Sequence, residues 1–268
     1  NQTLLVATCG QGILKTTDQG KTWTRLPIFQ DIEYDDIVRT LDIHPTEPAT
    51  IFAGFQYGVA KSVDAGRTWH RLSSFLNNYA IWKLIVDPQN PDNIYVGTGA
   101  PTRAIAARSR DGGETFERLS LSFPEHCAGV SKPRLLAMAI DPEEPNNIWA
   151  GVEEGGLYHS QDSGDSWRRI DTEIKGKDAM NSDIHDIVVV PGSPKRIIVS
   201  TVIAVHISQD NGKTWNCIIA KEQFGYRYSR NVATIKDGTG TLLHAVSDST
   251  PGTIGLVHRS TDGGKTWK

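Results

Sequence analysis

The sequence predicts an all-β chain of the β-propeller class, and three observations carry that prediction. A short motif, Ser/Thr-x-Asp-x-Gly-x-Ser/Thr-Trp/Phe, occurs six times along 268 residues. Its aspartates, Asp18, Asp64, Asp111, Asp162, Asp210 and Asp262, recur at intervals of 46, 47, 51, 48 and 52 residues, a period typical of propeller blades and other stacked repeats. Between the motifs lie short β-branched and aromatic runs punctuated by Gly, Pro, Asn and Asp, with no stretch of helical period. Such runs make strands and tight turns.

The second repeat shows the unit. Val38 to Ile43 reads as a strand, His44-Pro45-Thr46-Glu47-Pro48 as a turn and Thr50 to Gly54 as a second strand. A loop at Gln56-Tyr57-Gly58 leads to a third strand, Val59 to Ser62, and the motif turns the chain into a short fourth, Thr68 to Leu72. The third repeat (Lys83 to Val86, then Asn93 to Gly97) and the fourth (Ala137 to Ile140, then Asn147 to Gly151) follow the same plan. Four antiparallel strands per repeat, arranged radially, make a propeller blade. The first repeat begins at its second strand, Thr3 to Thr8, and the sixth stops inside its fourth, at Trp267-Lys268. Six blades are therefore visible and a seventh is left open. Composition does not shift along the chain, so residues 1–268 read as one propeller domain.

The motif has a structural role. An Asp side chain accepts hydrogen bonds from backbone N–H groups two residues on and holds a tight turn. The glycine after it takes a positive φ without a Cβ clash, and the closing aromatic buries a large apolar face. The six aspartates are thus expected to build turns.

The bulk properties exclude several functions. Net charge is −3 with both signs interspersed, which argues against nucleic acid as a partner. The longest apolar run, Ile197 to Ile207, is broken by Ser200, Thr201 and His206 and is too short to span a bilayer. Cys9, Cys127 and Cys217 have neither metal spacing nor a disulfide framework and read as free thiols. Composition leaves a secreted and a cytoplasmic location equally open.

The repeated Ser/Thr-x-Asp-x-Gly-x-Thr-Trp motif resembles the Asp-box, or bacterial-neuraminidase, repeat. The adjoining pattern from Asp87 to Gly97, Asp-Pro-x-x-Pro-x-x-Ile-Tyr-Val-Gly, is similar to blades of xyloglucanase-type glycosidases, sortilin-like receptors and photosystem II assembly factors. The resemblance covers nearly the whole chain and implies a propeller whose relatives include glycosidases, receptors and assembly factors. Fold likeness alone does not select among them. Sialidases carry a Phe-Arg-Ile-Pro motif and an arginine triad; this chain lacks the motif, and its arginines do not match one by one.

Aligning the first strands of the second to sixth repeats on the residue before the turn proline puts His44, Asp87, Asp141, Val190 and Lys236 in one column. By period-two alternation, one and three positions earlier lie two apolar core columns, the second being Leu41, Leu84, Met138, Ile187 and Ala233. Five earlier come Arg39, Trp82, Leu136, His185 and Asn231, and seven earlier Ile37, Ala80, Arg134, Asp183 and Ser229. The character changes from aliphatic to polar toward the strand entrances, which places a polar rim at the mouth of the propeller channel.

Asp183 and His185, two apart on a strand, are the candidate catalytic pair, since imidazole titrates near neutral pH and a carboxylate orients it. The same pair could supply two ligands to a metal ion at the mouth; no other cofactor is evident. Arg39, Trp82, Arg134, Tyr226, Tyr228, Arg230 and Asn231 are candidate ligand-binding residues, because aromatic faces and guanidinium groups suit a sugar ring or an anion. Glu153-Glu154 reads as a solvated turn. The leading expectation is a glycosidase-like hydrolase acting on a sugar or small-molecule ligand at the mouth. Its alternatives are a non-catalytic propeller holding a protein or glycan partner, and a metal-dependent small-molecule enzyme.

Overall fold

The structure, a computed structural model, describes residues 3–26, 37–127, 129–170, 183–235 and 239–268. The chain divides into two compact units, Asn1–Leu119 and Ser120–Lys268. Each carries three antiparallel meander sheets, the blades of a β-propeller fold.

In the first unit, the first blade is β1 (Leu4–Ala7), β2 (Ile13–Thr16) and β3 (Thr24–Leu26). The second is β4 (Val38–Ile43), β5 (Ile51–Phe55), β6 (Gly58–Ser62) and β7 (His70–Arg71). The third is β8 (Ala80–Val86), β9 (Ile94–Gly99), β10 (Ala106–Ser109) and β11 (Glu117–Arg118). In the second unit, the fourth blade is β12 (Leu135–Ile140), β13 (Ile148–Val152), β14 (Gly156–Ser160) and β15 (Arg168–Ile170). The fifth is β16 (Ile184–Val190), β17 (Arg196–Thr201), β18 (Ala204–Ser208) and β19 (Asn216–Ile219). The sixth is β20 (Tyr228–Thr234), β21 (Leu242–Ser247) and β22 (Gly255–Ser260), with Arg259 and Lys268 exchanging backbone bonds beside it. The described helical structure is one five-residue helix, α1 (Ala220–Phe224), and a 3-10 turn at Phe75–Asn78.

All six Asp-box turns share one network. In the fourth blade, Ser160 Oγ donates to Asp162 Oδ1 at 2.8 Å and accepts the Asp162 and Gly164 amides. Asp162 then accepts the Ser166 amide on Oδ1 (2.8 Å) and its hydroxyl on Oδ2 (2.5 Å). The carboxylate thus reaches the amide four residues on, not two, and the Ser/Thr hydroxyl supplies the shorter links. Trp23, Trp69, Trp167 and Trp267 close the turn by donating Nε1 to the motif glycine carbonyl at 2.9–3.1 Å.

These bonds to the Ser166 hydroxyl and amide hold the Asp162 carboxyl down at about 2. A carboxyl whose folded value is depressed contributes stability above its unfolded value and loses it as pH falls through the folded one. Asp162→Ala is therefore expected to cost about 1 kcal/mol at neutral pH, because the turn is open to water. The difference from wild type is expected to shrink as pH drops below about 4, as read by denaturant melts at several pH values.

Neighbouring blades within a unit are tied through their first strands. Asp42 Oδ2 accepts the Val86 amide at 2.8 Å, and Asp186 Oδ2 accepts the Val232 amide at 3.3 Å. Close approach requires a small residue on the second strand. A Cβ on Gly54 would meet Ile81 Cγ2 at 2.5 Å, and one on Gly151 would collide with Ile184. The equivalent contact between the fifth and sixth blades is polar: Ser200 and Ser229 hydroxyls bond at 2.8 Å. Gly151→Ala is expected to cost about 1–3 kcal/mol through overpacking, seen as a lowered melting temperature.

The structure corrects two features of the strand alignment. In the sixth blade, Ile235 donates its amide to the Thr241 carbonyl as Asp87 does to Asn93 and Asp141 to Asn147. The reference residue is thus Ile235 and not Lys236, which lies outside the described residues. That blade has no turn proline, and the alignment slipped by one. Its core residue is Val232, 2% exposed, whereas Ala233 faces solvent. Leu84, Met138 and Ile187 are buried as expected, and Leu41 is partly buried.

The second correction is a bulge. Every first strand from the second to the sixth blade shifts register at the same place: Val38/Thr40, Ile81/Lys83, Leu135/Ala137, Ile184/Asp186 and Ser229/Val232. The extra residue ends the period-two alternation and re-aims a side chain. Beyond it the buried apolar position is Val38, Ile81, Leu135 and Ile184. Arg39, Trp82, Leu136 and His185 are the inserted residues, and the corrected register adds Arg230 to that column in place of Asn231.

Candidate functional site

In the second unit the bulges and strand entrances of three blades bring a polar cluster together. The fourth blade supplies Arg134, just before β12, and Glu153 from the β13–β14 loop. The Glu153 amide donates to the Arg134 carbonyl at 2.9 Å, and Arg134 Nη1 meets Glu153 Oε2 at 2.6 Å. Glu153 is 6% exposed, so it is a buried ion-pair partner and not a solvated turn. Glu154 beside it accepts the Gly129 amide at 2.8 Å.

The fifth blade supplies Asp183 and His185. The Asp183 carbonyl accepts the Val202 amide, and the Val202 carbonyl accepts the Ser229 amide, which fixes the entrance of β16 against β20. His185 is 4% exposed and its Nδ1 lies 2.8 Å from the Ser229 carbonyl. A carbonyl only accepts, so Nδ1 carries a proton and the ring turns Nε2 toward Asp183. Nε2 lies 3.4 Å from Asp183 Oδ1, a buried atom with no hydrogen-bond partner. Ser229 is held in turn by Ser200 and by His244 Nε2 at 3.2 Å.

The sixth blade supplies Tyr228 and Arg230. The Tyr228 ring lies 5.4 Å from the His185 ring, and Arg230 Nη1 donates to the Tyr228 hydroxyl at 3.1 Å. One ligand atom each from Glu153, Asp183 and His185 falls within 4.8 Å of the others. Cys127 borders the same group, its Sγ 3.9 Å from the Glu153 and Glu154 carbonyls. Burial, then the charges of Glu154, Glu153 and Asp183, push its thiol pKa up, away from nucleophilic thiolate chemistry at neutral pH.

Asp183, His185, Arg134, Tyr228 and Arg230 thus share one connected cluster. Tyr226 does not join it and packs against Ala220, Phe224 and Val246. Asn231 is exposed and donates to Asp186 Oδ2 at 3.2 Å, in the tie between blades. Arg39 and Trp82 pair within the first unit, the guanidinium 4.4 Å above the indole. Trp82 donates to the Ala100 carbonyl at 2.7 Å and Arg39 to Gln56 at 2.8 Å. Sequence reasoning missed Glu153. Its one signal was a position between second and third strands, at the end of the blade where Arg134 and Asp183 enter.

Comparison with known proteins follows the same lines. The family model described as sortilin, neurotensin receptor 3 (Sortilin-Vps10) matches residues 57–187, and the BNR/Asp-box repeat model matches residues 258–268. A xyloglucanase of Hypocrea jecorina is 26% identical over 227 residues, covering 72% of this chain and 26% of its own. The oligoxyloglucan-reducing end-specific xyloglucanase of Emericella nidulans is 22% identical over 138 residues, 50% of this chain and 17% of its own. Among solved structures, a GH74 xyloglucanase from Xanthomonas campestris superposes with a TM-score of 0.72 at 19% identity, covering 98% of this chain and 43% of that one. YCF48 from Cyanidioschyzon merolae gives 0.56 at 17% identity, covering 88% and 85%. The chain spans about a quarter or less of the curated xyloglucanases it matches. The chain has a β-propeller fold with six turns of Asp-box pattern and is similar in sequence to xyloglucanases. No helix among the described residues is long and apolar enough to cross a membrane.

Proposed function

We propose that this chain acts in glycoside hydrolysis, on a β-glucan of the xyloglucan class, through the cluster in its second unit. One observation carries the reading. Asp183 Oδ1 and His185 Nε2 face each other at 3.4 Å, with Nδ1 of the ring committed to the Ser229 carbonyl. A carboxylate facing an imidazole is a pairing suited to take a proton from an attacking water. The Tyr228 hydroxyl accepts from Arg230 and keeps its own proton to donate toward the leaving oxygen. Its ring offers an apolar face to a pyranose, and Arg230 offers donors to the hydroxyls. The sequence likeness to xyloglucanases supports the substrate class. Incubating the protein with xyloglucan, other β-glucans and chromogenic glycosides tests the reading. Release of reducing ends or chromophore is expected with at least one; no release from any would refute it.

One observation favours a second reading, a propeller that holds a glycan or protein without turnover. Arg134 and Arg230 are each already bonded inside the cluster, to Glu153 and Tyr228, as in a rigid recognition surface. Capture of xyloglucan without bond cleavage would select it.

A further inference from the structure

We propose that Glu153, Asp183 and His185 bind one divalent first-row transition ion, such as Zn2+ or Mn2+. The proposal rests on the hydrolase reading and deepens it: with an ion bound, Asp183 and His185 would serve as its ligands, and the ion would activate the attacking water in place of their own lone pairs.

The first ground is a buried ligand atom without a partner. His185 Nε2 and Asp183 Oδ1 approach to 3.4 Å, and Asp183 Oδ1 is buried without a hydrogen-bond partner. The His185 side chain is 1% exposed, so bulk water does not relieve that contact. A buried carboxylate oxygen left without a hydrogen bond beside an imidazole nitrogen favours a positive centre between them. The separation suits a shared ion: bonds of about 2.1 Å to a tetrahedral ion put adjacent ligand atoms about 3.4 Å apart.

The second ground is the shell behind the ligands. A metal-bound histidine characteristically donates its other ring N–H to a carbonyl, carboxylate or water. His185 Nδ1 does this to the Ser229 carbonyl. Ser229 is fixed by the Ser200 and His244 side chains, so the ring has little freedom to turn away. Glu153 brings a third ligand atom within 4.8 Å, and its carboxylate is oriented by Arg134. The polypeptide therefore fixes the direction of His185 and Glu153 before any ion arrives.

Charge gives the third ground. Glu153, Asp183 and Glu154 bring three carboxylates against the guanidinium groups of Arg134 and Arg230. The excess of carboxylates favours a cation over an anion there. One imidazole nitrogen with two carboxylates favours a first-row transition ion over Ca2+ or Mg2+, which prefer all-oxygen sites. Three protein ligands leave a coordination position for water or a sugar hydroxyl.

The test is equilibrium dialysis and calorimetry of the full chain, stripped with chelator, against Zn2+, Mn2+, Ca2+ and Mg2+. One equivalent of Zn2+ or Mn2+ is expected to bind, with Ca2+ and Mg2+ at least tenfold weaker. Asp183→Asn and His185→Ala are each expected to weaken binding about 100-fold or more, since even outer-shell changes cost about 10–100-fold. Circular dichroism and melting check the fold of each variant, and visible absorption of bound Co2+ reports the nitrogen ligand independently of folding yield. Absence of saturable binding, or binding unchanged in both variants, overturns the proposal. Xyloglucan hydrolysis assayed with and without chelator separates the two readings. Binding without any hydrolysis sinks the hydrolase and leaves the ion site standing, whereas chelator-resistant hydrolysis without binding does the reverse.

Discussion

Asp183→Asn is expected to lower turnover of xyloglucan or a chromogenic glycoside by about 10² to 10⁴-fold, the usual range for losing a general base. The melting temperature should stay near wild type. The substitution keeps the shape of a side chain that is partly exposed and whose Oδ1 has no hydrogen-bond partner to lose. His185→Ala is expected to cause a similar loss of turnover. It also removes the bond to the Ser229 carbonyl, and so should lower stability by about 1 kcal/mol. Steady-state kinetics with melts on both variants check this. A large fall in melting with turnover per folded molecule unchanged would assign the pair a structural role.

Arg134→Ala is expected to have the largest effect on stability. Removing one member of a buried pair strands the other charge, at a typical cost of about 3–5 kcal/mol. The Glu153 side chain is only 7% exposed and its bond to Arg134 is 2.6 Å long, while Arg134 itself is 28% exposed. Water reaching the Arg134 side places the expected value near the lower end, about 3 kcal/mol. Adding Glu153→Gln to Arg134→Ala removes the stranded charge and should recover part of the loss, whereas two independent surface changes would simply add. Urea melts of wild type, both single variants and the double variant give the coupling. A single-variant loss under about 0.5 kcal/mol, the size of a surface substitution, would mean that Glu153 is solvated.

The blades were legible because their signals are local. The Ser/Thr, Asp and Gly of each turn recur at fixed offsets, and every one of the six turns forms. The candidate site was legible only in part, for a physical reason. Strand alternation locates a side chain only while the ladder is regular, and each first strand from the second blade on carries its bulge at the residue that matters. His185 and Asp183 were found because they lie two apart at the entrance of β16. Arg230 was placed beside its column instead of in it, since the sixth blade lacks the proline that anchors the count. Glu153 is fixed by an arginine nineteen residues away, a partnership that no spacing rule announces.

The most direct measurement is a crystal structure of the chain with a xyloglucan oligosaccharide bound. The account predicts a sugar ring against Tyr228, hydroxyls within reach of Arg230, and a glycosidic oxygen beside Asp183 and His185. A sugar seated instead on the Arg39–Trp82 pair of the first unit, with the second-unit cluster untouched, would contradict it.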